Sequence, residues 1–219
     1  MEGFLAASPG TDLARRRAGA KLTFVLGGAR SGKSRYAEGL IMAMPRPWVY
    51  VATATAHDRE MAERIAAHRT RRAGHWQTIE VPHDLAGGIA VLPRGAAVLI
   101  DCMTIWLTNR MLVDDNDGKQ VGRDAGSERP LAAEIARDLD VRIAAEIDAL
   151  VAALSRHLGA AVIVSNEVGF AIVPDNPLAR RFRDLQGQVN QQLAASADRV
   201  VLIVAGLPVV LKDTGGAPT

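Results

Sequence analysis

The sequence predicts an α/β fold in which helices cover both faces of a mainly parallel β-sheet, making three layers. Short apolar runs rich in Val, Leu and Ile alternate with longer helical patterns, as expected for successive βαβ units. The run Ala96–Ile100 is apolar throughout, which is typical of a strand covered on both faces. Of the 219 residues, 48% are hydrophobic and 23% are charged, a globular composition that supports one core of its own.

Five parallel strands follow from short runs of β-branched and apolar residues that end at turn residues. Leu22–Leu26 stops at two glycines, and Val209–Leu211 is close enough behind the last strand to extend a hairpin. The predicted strands are Leu22–Leu26, Trp48–Thr53, Ala96–Ile100, Ala161–Ser165 and Arg199–Ala205.

The helices follow from apolar residues that recur every three or four positions. Pro45 and Pro47 end the first of them, and Met61, Ile65 and His68 lie on one face of the second. The predicted helices are Ser34–Met44, His57–Arg72, Leu131–Leu158 and Leu178–Ala195. The segment Asp114–Pro130 is charged and contains two glycines, so we expect a mobile loop there.

Composition also predicts the domain organisation and excludes several classes of protein. Residues 1–21 lack a hydrophobic period and are expected to form a flexible extension, followed by a single domain over residues 22–219. Cys102 is the only cysteine, which excludes an internal disulfide. A net charge of +2 does not suggest nucleic acid as a partner. The apolar runs fall short of the ~20 residues of a membrane-spanning helix, and no secretory signal is recognisable, so the cytoplasm is expected.

A phosphate-binding loop is the strongest motif in the sequence. The pattern G-x-x-x-x-G-K-[ST] is matched between a predicted strand and a predicted helix by Gly27, Gly28, Ala29, Arg30, Ser31, Gly32, Lys33 and Ser34. Glycines let successive backbone N–H groups curve around phosphate oxygens, and the helix dipole adds positive potential. Lys33 is expected to reach the β- and γ-phosphates, and the Ser34 hydroxyl is expected to bind Mg²⁺. The motif predicts a fold like that of P-loop NTPases.

An acidic residue at the end of a second strand completes the predicted nucleotide site. Asp101 follows the apolar run Val98–Ile100, and its carboxylate is expected to hold Mg²⁺ together with Ser34. The guanine-reading tetrapeptide N-K-x-D of regulatory GTPases does not occur, and the chain is short for a motor or transporter ATPase. A small-molecule phosphotransferase is the class that remains.

A histidine surrounded by arginines forms the second group of candidate residues. His68 lies among Arg64, Arg69, Arg71 and Arg72. Guanidinium groups stabilise phosphoryl transition states, and a neutral histidine could attack an α-phosphate to form a phosphoramidate. Taken alone, however, the segment is more typical of a solvated basic helix end with an incidental histidine.

Several segments together resemble the bifunctional adenosylcobinamide kinase/adenosylcobinamide-phosphate guanylyltransferase family of cobalamin biosynthesis. The resemblance extends from about Thr23 to Leu211. Beyond the phosphate loop, its most specific part is Asn166-Glu167-Val168-Gly169 followed by Ile172-Val173-Pro174, Asn176 and Leu178-Ala179-Arg180. Further matching segments are Tyr50–Thr53, Met61–Ile65 with His68, His75-Trp76, Asp101-Cys102, Thr108-Asn109, Phe182–Asp184 and Val189-Asn190.

The resemblance implies two reactions. A hydroxyl of adenosylcobinamide is phosphorylated from ATP or GTP, and GMP is then transferred from GTP to the product, giving adenosylcobinamide-GDP. It implies that His68 becomes guanylylated, that Mg²⁺ is required, and that the chain forms a homo-oligomer, for which a trimer is suggested. Besides the phosphate loop, the implied nucleotide contacts are Ala52, Thr53, Ala54, Arg69, Thr70, Arg71, Arg72, Glu80 and Asp101.

Some alternatives stay open. The chain could be a P-loop small-molecule kinase without nucleotidyl transfer, or a regulatory module that binds nucleoside triphosphates with little turnover. Asn166 and Glu167 follow a strand end, where ligands bind in open α/β sheets, so either a site role or a role in helix capping is compatible with them. The position of the corrinoid is not indicated, but a chain of this size suggests an open groove.

Overall fold

A computed structural model describes residues 21–54, 75–116 and 129–214 of the chain. The strands are β1 (Leu22–Gly27), β2 (Trp48–Ala52), β3 (Trp76–Glu80), β4 (Ala97–Asp101), β5 (Ala161–Asn166), β6 (Arg199–Val204) and β7 (Leu207–Asp213). The helices in these ranges are α1 (Lys33–Met42), α2 (Leu85–Ala90), α3 (Met103–Asn116), α4 (Arg129–Arg156) and α5 (Pro177–Ser196).

The seven strands form one sheet in the order β3-β2-β4-β5-β1-β6-β7. All neighbours are parallel except β6 and β7, which form an antiparallel hairpin at the edge. β1 therefore lies between β5 and β6, with Gly27 in register with Asn166. On the other side of β5, Ala52 of β2 is in register with Asp101 of β4. The carboxyl ends of β1, β2, β4 and β5 meet at one edge, where open α/β sheets bind ligands.

Alternating side chains of each strand point to the two faces of the sheet, and both faces are buried. On one face, Phe24 packs in a cluster with Trp106 of α3, Ile147 of α4 and Val189 of α5. On the other face, Val25 packs in a cluster that includes Ile41 of α1. Burial on both sides explains why β1, β4 and β5 read as continuous apolar runs, and it confirms the predicted three-layer α/β fold.

The five predicted parallel strands, the hairpin and three of the four helices are confirmed, with bounds that differ by at most two residues. The fourth helix, predicted at His57–Arg72, lies outside the described residues, as does all of the predicted extension except Lys21. The loop predicted at Asp114–Pro130 is wrong at both ends, because α3 continues to Asn116 and α4 begins at Arg129. No helix in the described ranges has the length and apolar character needed to cross a membrane.

Candidate functional site

The phosphate loop has the left-handed backbone turns that its glycine-rich sequence predicts. Gly32 has φ of +96° and Arg30 has φ of +56°. The Ser31 N–H donates to the Gly28 carbonyl at 3.2 Å, and the Gly206 N–H, from the β6–β7 turn, donates to the Ser31 carbonyl at 2.9 Å. The loop is thus held from within and from the neighbouring hairpin. It leads directly into α1, whose first N–H groups have no partner inside the helix.

Gly27 is fixed as glycine by its neighbours rather than by its own backbone angles. A Cβ atom at this position would lie 2.8 Å from the carbonyl oxygen of Ile203 on β6 and 2.5 Å from Ser31 Oγ. Ile203 O belongs to the backbone of β6, which is paired with a strand on each side, so moving it would disturb the hydrogen bonds of the sheet. At Gly28, by contrast, a Cβ would meet no protein atom within 4 Å. The first glycine of the motif therefore permits close packing, while the second leaves open space over the loop.

Lys33 folds back onto the phosphate loop. Its Nζ donates to the Gly28 carbonyl at 3.1 Å, and the residue is 9% exposed. Burial lowers the pKa of the Lys33 ammonium from its ordinary value, whereas Cys102 and Asp101 oppose that shift. Burial and the nearby Asp101 raise the pKa of the Cys102 thiol to about 11, so this thiol is uncharged near neutral pH. A bound triphosphate would place further negative charge beside this buried ammonium.

Asp101 ends β4 with its carboxylate largely buried. The Tyr50 hydroxyl on β2 donates to Asp101 Oδ2 at 3.1 Å, which orients the carboxylate beside the phosphate loop. Ser34, half-buried at the start of α1, adds a hydroxyl oxygen. Among the described residues, no group of three or more His, Cys, Asp or Glu side chains could hold a metal by itself. One carboxylate and one hydroxyl fit Mg²⁺, which commonly takes few protein ligands and completes its shell with phosphates and water.

The strand ends around Asp101 are joined by the Thr53 side chain. Thr53 Oγ1 donates to the Cys102 carbonyl at 2.8 Å and accepts from the Cys102 N–H at 2.9 Å. Asn109 Nδ2 on α3 donates to the Thr53 carbonyl at 2.8 Å and to the Pro82 carbonyl at 3.1 Å. Thr53 is fully buried, so its hydroxyl stabilises the ends of β2 and β4.

The other predicted nucleotide residues divide into three groups. Ala29 and Arg30 are exposed at the tip of the phosphate loop, and Ala52 and Ala54 are half-buried at the end of β2. Glu80 ends β3, four strand positions from β1, or about 19 Å at the usual strand spacing. His68, Arg69, Thr70, Arg71 and Arg72 lie outside the described residues. The structure therefore brings Asp101 near Lys33, which precedes Ser34 at the start of α1, and it places Glu80 at the far side of the same edge.

Sequence reasoning assigned no role to three residues that shape this site: Tyr50, Asn109 and Gly206. Tyr50 and Asn109 both belong to segments that carried the family resemblance, which was the available signal for them. Asn109 also places an amide among the buried residues of α3, where an unpaired polar group would be costly. For Gly206 the sequence contains no such signal, because its partner Ser31 is distant along the chain.

Comparison with known proteins identifies the family of this chain. A family model described as cobinamide kinase / cobinamide phosphate guanyltransferase matches residues 23–211. The bifunctional adenosylcobalamin biosynthesis protein CobU of Salmonella typhimurium is 43% identical over 194 residues, covering 87% of this chain and 99% of the relative. The corresponding protein CobP of Pseudomonas aeruginosa is 40% identical over 189 residues, covering 86% and 95%. These matches confirm the resemblance read from the motifs: the chain belongs to the cobinamide kinase / cobinamide phosphate guanyltransferase family.

Proposed function

We propose that this chain phosphorylates a hydroxyl of adenosylcobinamide, using ATP or GTP, and then transfers GMP from GTP to the resulting phosphate. The observation that carries the proposal is family membership across residues 23–211 together with an intact phosphate loop. In the first reaction, Lys33 and the loop N–H groups bind the β- and γ-phosphates. Mg²⁺ held by Ser34 and Asp101 would neutralise charge on the transferring phosphoryl group.

The second reaction needs a nucleophile for the α-phosphate of GTP, and we assign that role to His68. Its ring nitrogen attacks the α-phosphorus, a P–N bond forms, and pyrophosphate leaves with the electrons of the broken P–O bond. A phosphate oxygen of adenosylcobinamide phosphate then attacks the same phosphorus and displaces the histidine. Arg69, Arg71 and Arg72 would stabilise charge on the phosphates, and Thr70, Ala52, Thr53, Ala54 and Glu80 complete the proposed nucleotide contacts.

Two features of the described site support a shared nucleotide position for both reactions. The sequence contains one phosphate-loop motif, and the carboxyl edge of the sheet extends from that loop past Asp101 to Glu80. Ser31 Oγ is buried in the loop without a hydrogen-bond partner among the described residues, so a bound phosphate would satisfy it.

We further propose that the active form is a homo-oligomer, with a trimer as the arrangement to test by sedimentation.

Covalent labelling tests the proposal directly. The protein is incubated with Mg²⁺ and GTP labelled at the α-phosphate, and then denatured. We expect an acid-labile, alkali-stable label on wild type and on His83→Ala, and none on His68→Ala. Lys33→Ala should lower both reactions by about 100-fold or more. If wild type carries no label, guanylyl transfer is excluded and the alternative is a small-molecule kinase. If wild type also fails to phosphorylate the acceptor, the alternative is a nucleotide-binding regulatory module.

A further inference from the structure

The segment that follows β5 is held in place by hydrogen bonds to polar side chains of α3 and α5. The Asn166 N–H donates to Thr104 Oγ1 at 2.9 Å, and the Asn166 carbonyl accepts from Asn190 Nδ2 at 3.1 Å. Asn190 Oδ1 in turn accepts from Ser165 Oγ at 2.8 Å and from Gln186 Nε2 at 3.0 Å. Buried hydrogen-bond networks of this kind fix the backbone position closely. The strand end therefore presents the next residue, Glu167, in a defined place.

Helix capping does not account for this segment. The helix that follows is α5, and it begins at Pro177 with Asn176 as its cap. Asn176 Oδ1 accepts from the N–H groups of Leu178 and Ala179 at 2.8 and 3.2 Å. The cap residue is thus separated from Glu167 by a whole loop. The sequence left two roles open for Glu167, a role in the site and a role in helix capping. The structure excludes helix capping.

Glu167 lies against the first residue of the phosphate loop. Its N–H donates to the Gly27 carbonyl at 3.1 Å, next to the point where the loop begins. Its Oε1 accepts from the Gly169 N–H at 2.7 Å, which bends the segment and holds the carboxylate. The residue is half-buried, and no Lys or Arg in the described part of the chain forms an ion pair with it. A half-buried glutamate, with Oε1 hydrogen-bonded to a backbone N–H and its own backbone bonded to Gly27, thus borders the start of the phosphate loop.

We propose that Glu167 is the general base of the kinase step, an inference that rests on the function proposed above. The acceptor hydroxyl oxygen attacks the γ-phosphorus of the nucleotide, and its proton moves to Glu167 Oε2. A new P–O bond forms, and the bond to the β-phosphate oxygen breaks, so the nucleoside diphosphate leaves with the electron pair. Positioned bases contribute about 10²- to 10⁴-fold to such steps.

The two reactions differ in their need for this base, which supplies an internal control. An alcohol holds its proton at neutral pH and benefits from a base as it attacks. The acceptor of the guanylyl transfer is a phosphate monoester, which is already largely ionised because its second pKa is about 6. Loss of a general base at Glu167 should therefore slow the first reaction and spare the second.

The test uses Glu167→Gln in the full-length protein. Glutamine keeps the shape of the side chain and an oxygen for the Gly169 N–H, but it cannot accept a proton. We expect kcat for phosphorylation of adenosylcobinamide to fall by about 100-fold or more. Guanylyl transfer to separately prepared adenosylcobinamide phosphate, and KM for the nucleotide, should change less than about threefold. Asp175→Asn, which removes an exposed carboxylate from the same loop, should leave both rates near those of wild type.

Each other outcome overturns the inference in a recognisable way. A Glu167→Gln enzyme with near wild-type kinase activity would show that the carboxylate is not a base. Equal losses in both reactions would show that Glu167 only shapes the site. A loss confined to the kinase reaction is not explained by misfolding, because misfolding would lower guanylyl transfer as well. If wild type catalyses neither reaction, the proposed function fails before the role of Glu167 is reached.

Discussion

Replacing Thr53 with valine removes one hydroxyl and breaks two hydrogen bonds at the end of β2. The Cys102 N–H loses its hydrogen-bond acceptor in a buried position, and an orphaned buried donor costs about 1–3 kcal/mol. The Cys102 carbonyl also loses Thr53 Oγ1 but still accepts from the Trp106 N–H at 3.2 Å, so that loss costs about 0.5–1.5 kcal/mol. We expect the free energy of unfolding of Thr53→Val to fall by about 1.5–4.5 kcal/mol.

Urea denaturation followed by far-UV circular dichroism measures this change. Thr108→Val is the matched control, because Thr108 is exposed and its hydroxyl bonds only the Thr104 carbonyl of its own helix, at 3.0 Å. The control should stay within about 0.5 kcal/mol of wild type. If Thr53→Val is equally mild at an unchanged m-value, the hydroxyl does not hold β2 and β4 together and our reasoning about the site is wrong.

Two further predictions concern the same region. Gly27→Ala should destabilise the nucleotide-free protein by about 1–3 kcal/mol, because its Cβ would press on Ile203 O, whereas Gly28→Ala should not; identical thermal denaturation curves for the two variants would refute this. With its pKa raised to about 11 from 9.0, Cys102 should react with a disulfide reagent at pH 8 about 100-fold more slowly than an ordinary thiol. Unfolding in urea should restore the ordinary rate, and rapid labelling of the native protein would contradict the raised pKa.

The features that could be predicted from the sequence are those with local causes. The phosphate loop needs a left-handed residue at Gly32, and its motif carries that requirement in eight consecutive residues. Strands such as Ala97–Asp101 are buried on both faces, so every position is apolar until the strand ends at a carboxylate. In both cases the signal lies within one short stretch of chain.

Elements with weak or distributed signals were missed. β3 lies at the edge of the sheet, and its side chains are half-buried or exposed, so it lacks a continuous apolar run. α2 contains two glycines, which disfavour helices; Asp84 caps it and burial of Leu85 and Ile89 holds it in place. Tertiary packing outweighed local propensity in both elements.

The candidate site was only partly predictable for a related reason. The Thr53 hydroxyl meets Cys102, which is 49 positions away in sequence, because β2 and β4 pair with Ala52 beside Asp101. No local pattern contains that register. The place of Glu167 beside Gly27 likewise depends on β1 and β5 being neighbours, which the order of the strands along the chain does not reveal.

The position of β1 in the sheet has a consequence for how the protein is made. β1 is synthesised before the other six described strands, yet its neighbours β5 and β6 follow only after β2, β3 and β4. At usual translation rates of about 5–20 residues per second, the apolar run Leu22–Gly27 waits of the order of ten seconds for β5 to appear. The hydrogen bond to the Ser31 carbonyl forms later still, because its donor is the N–H of Gly206. The nucleotide loop, although synthesised before most of the described strands, reaches its final form only after Gly206 has been made.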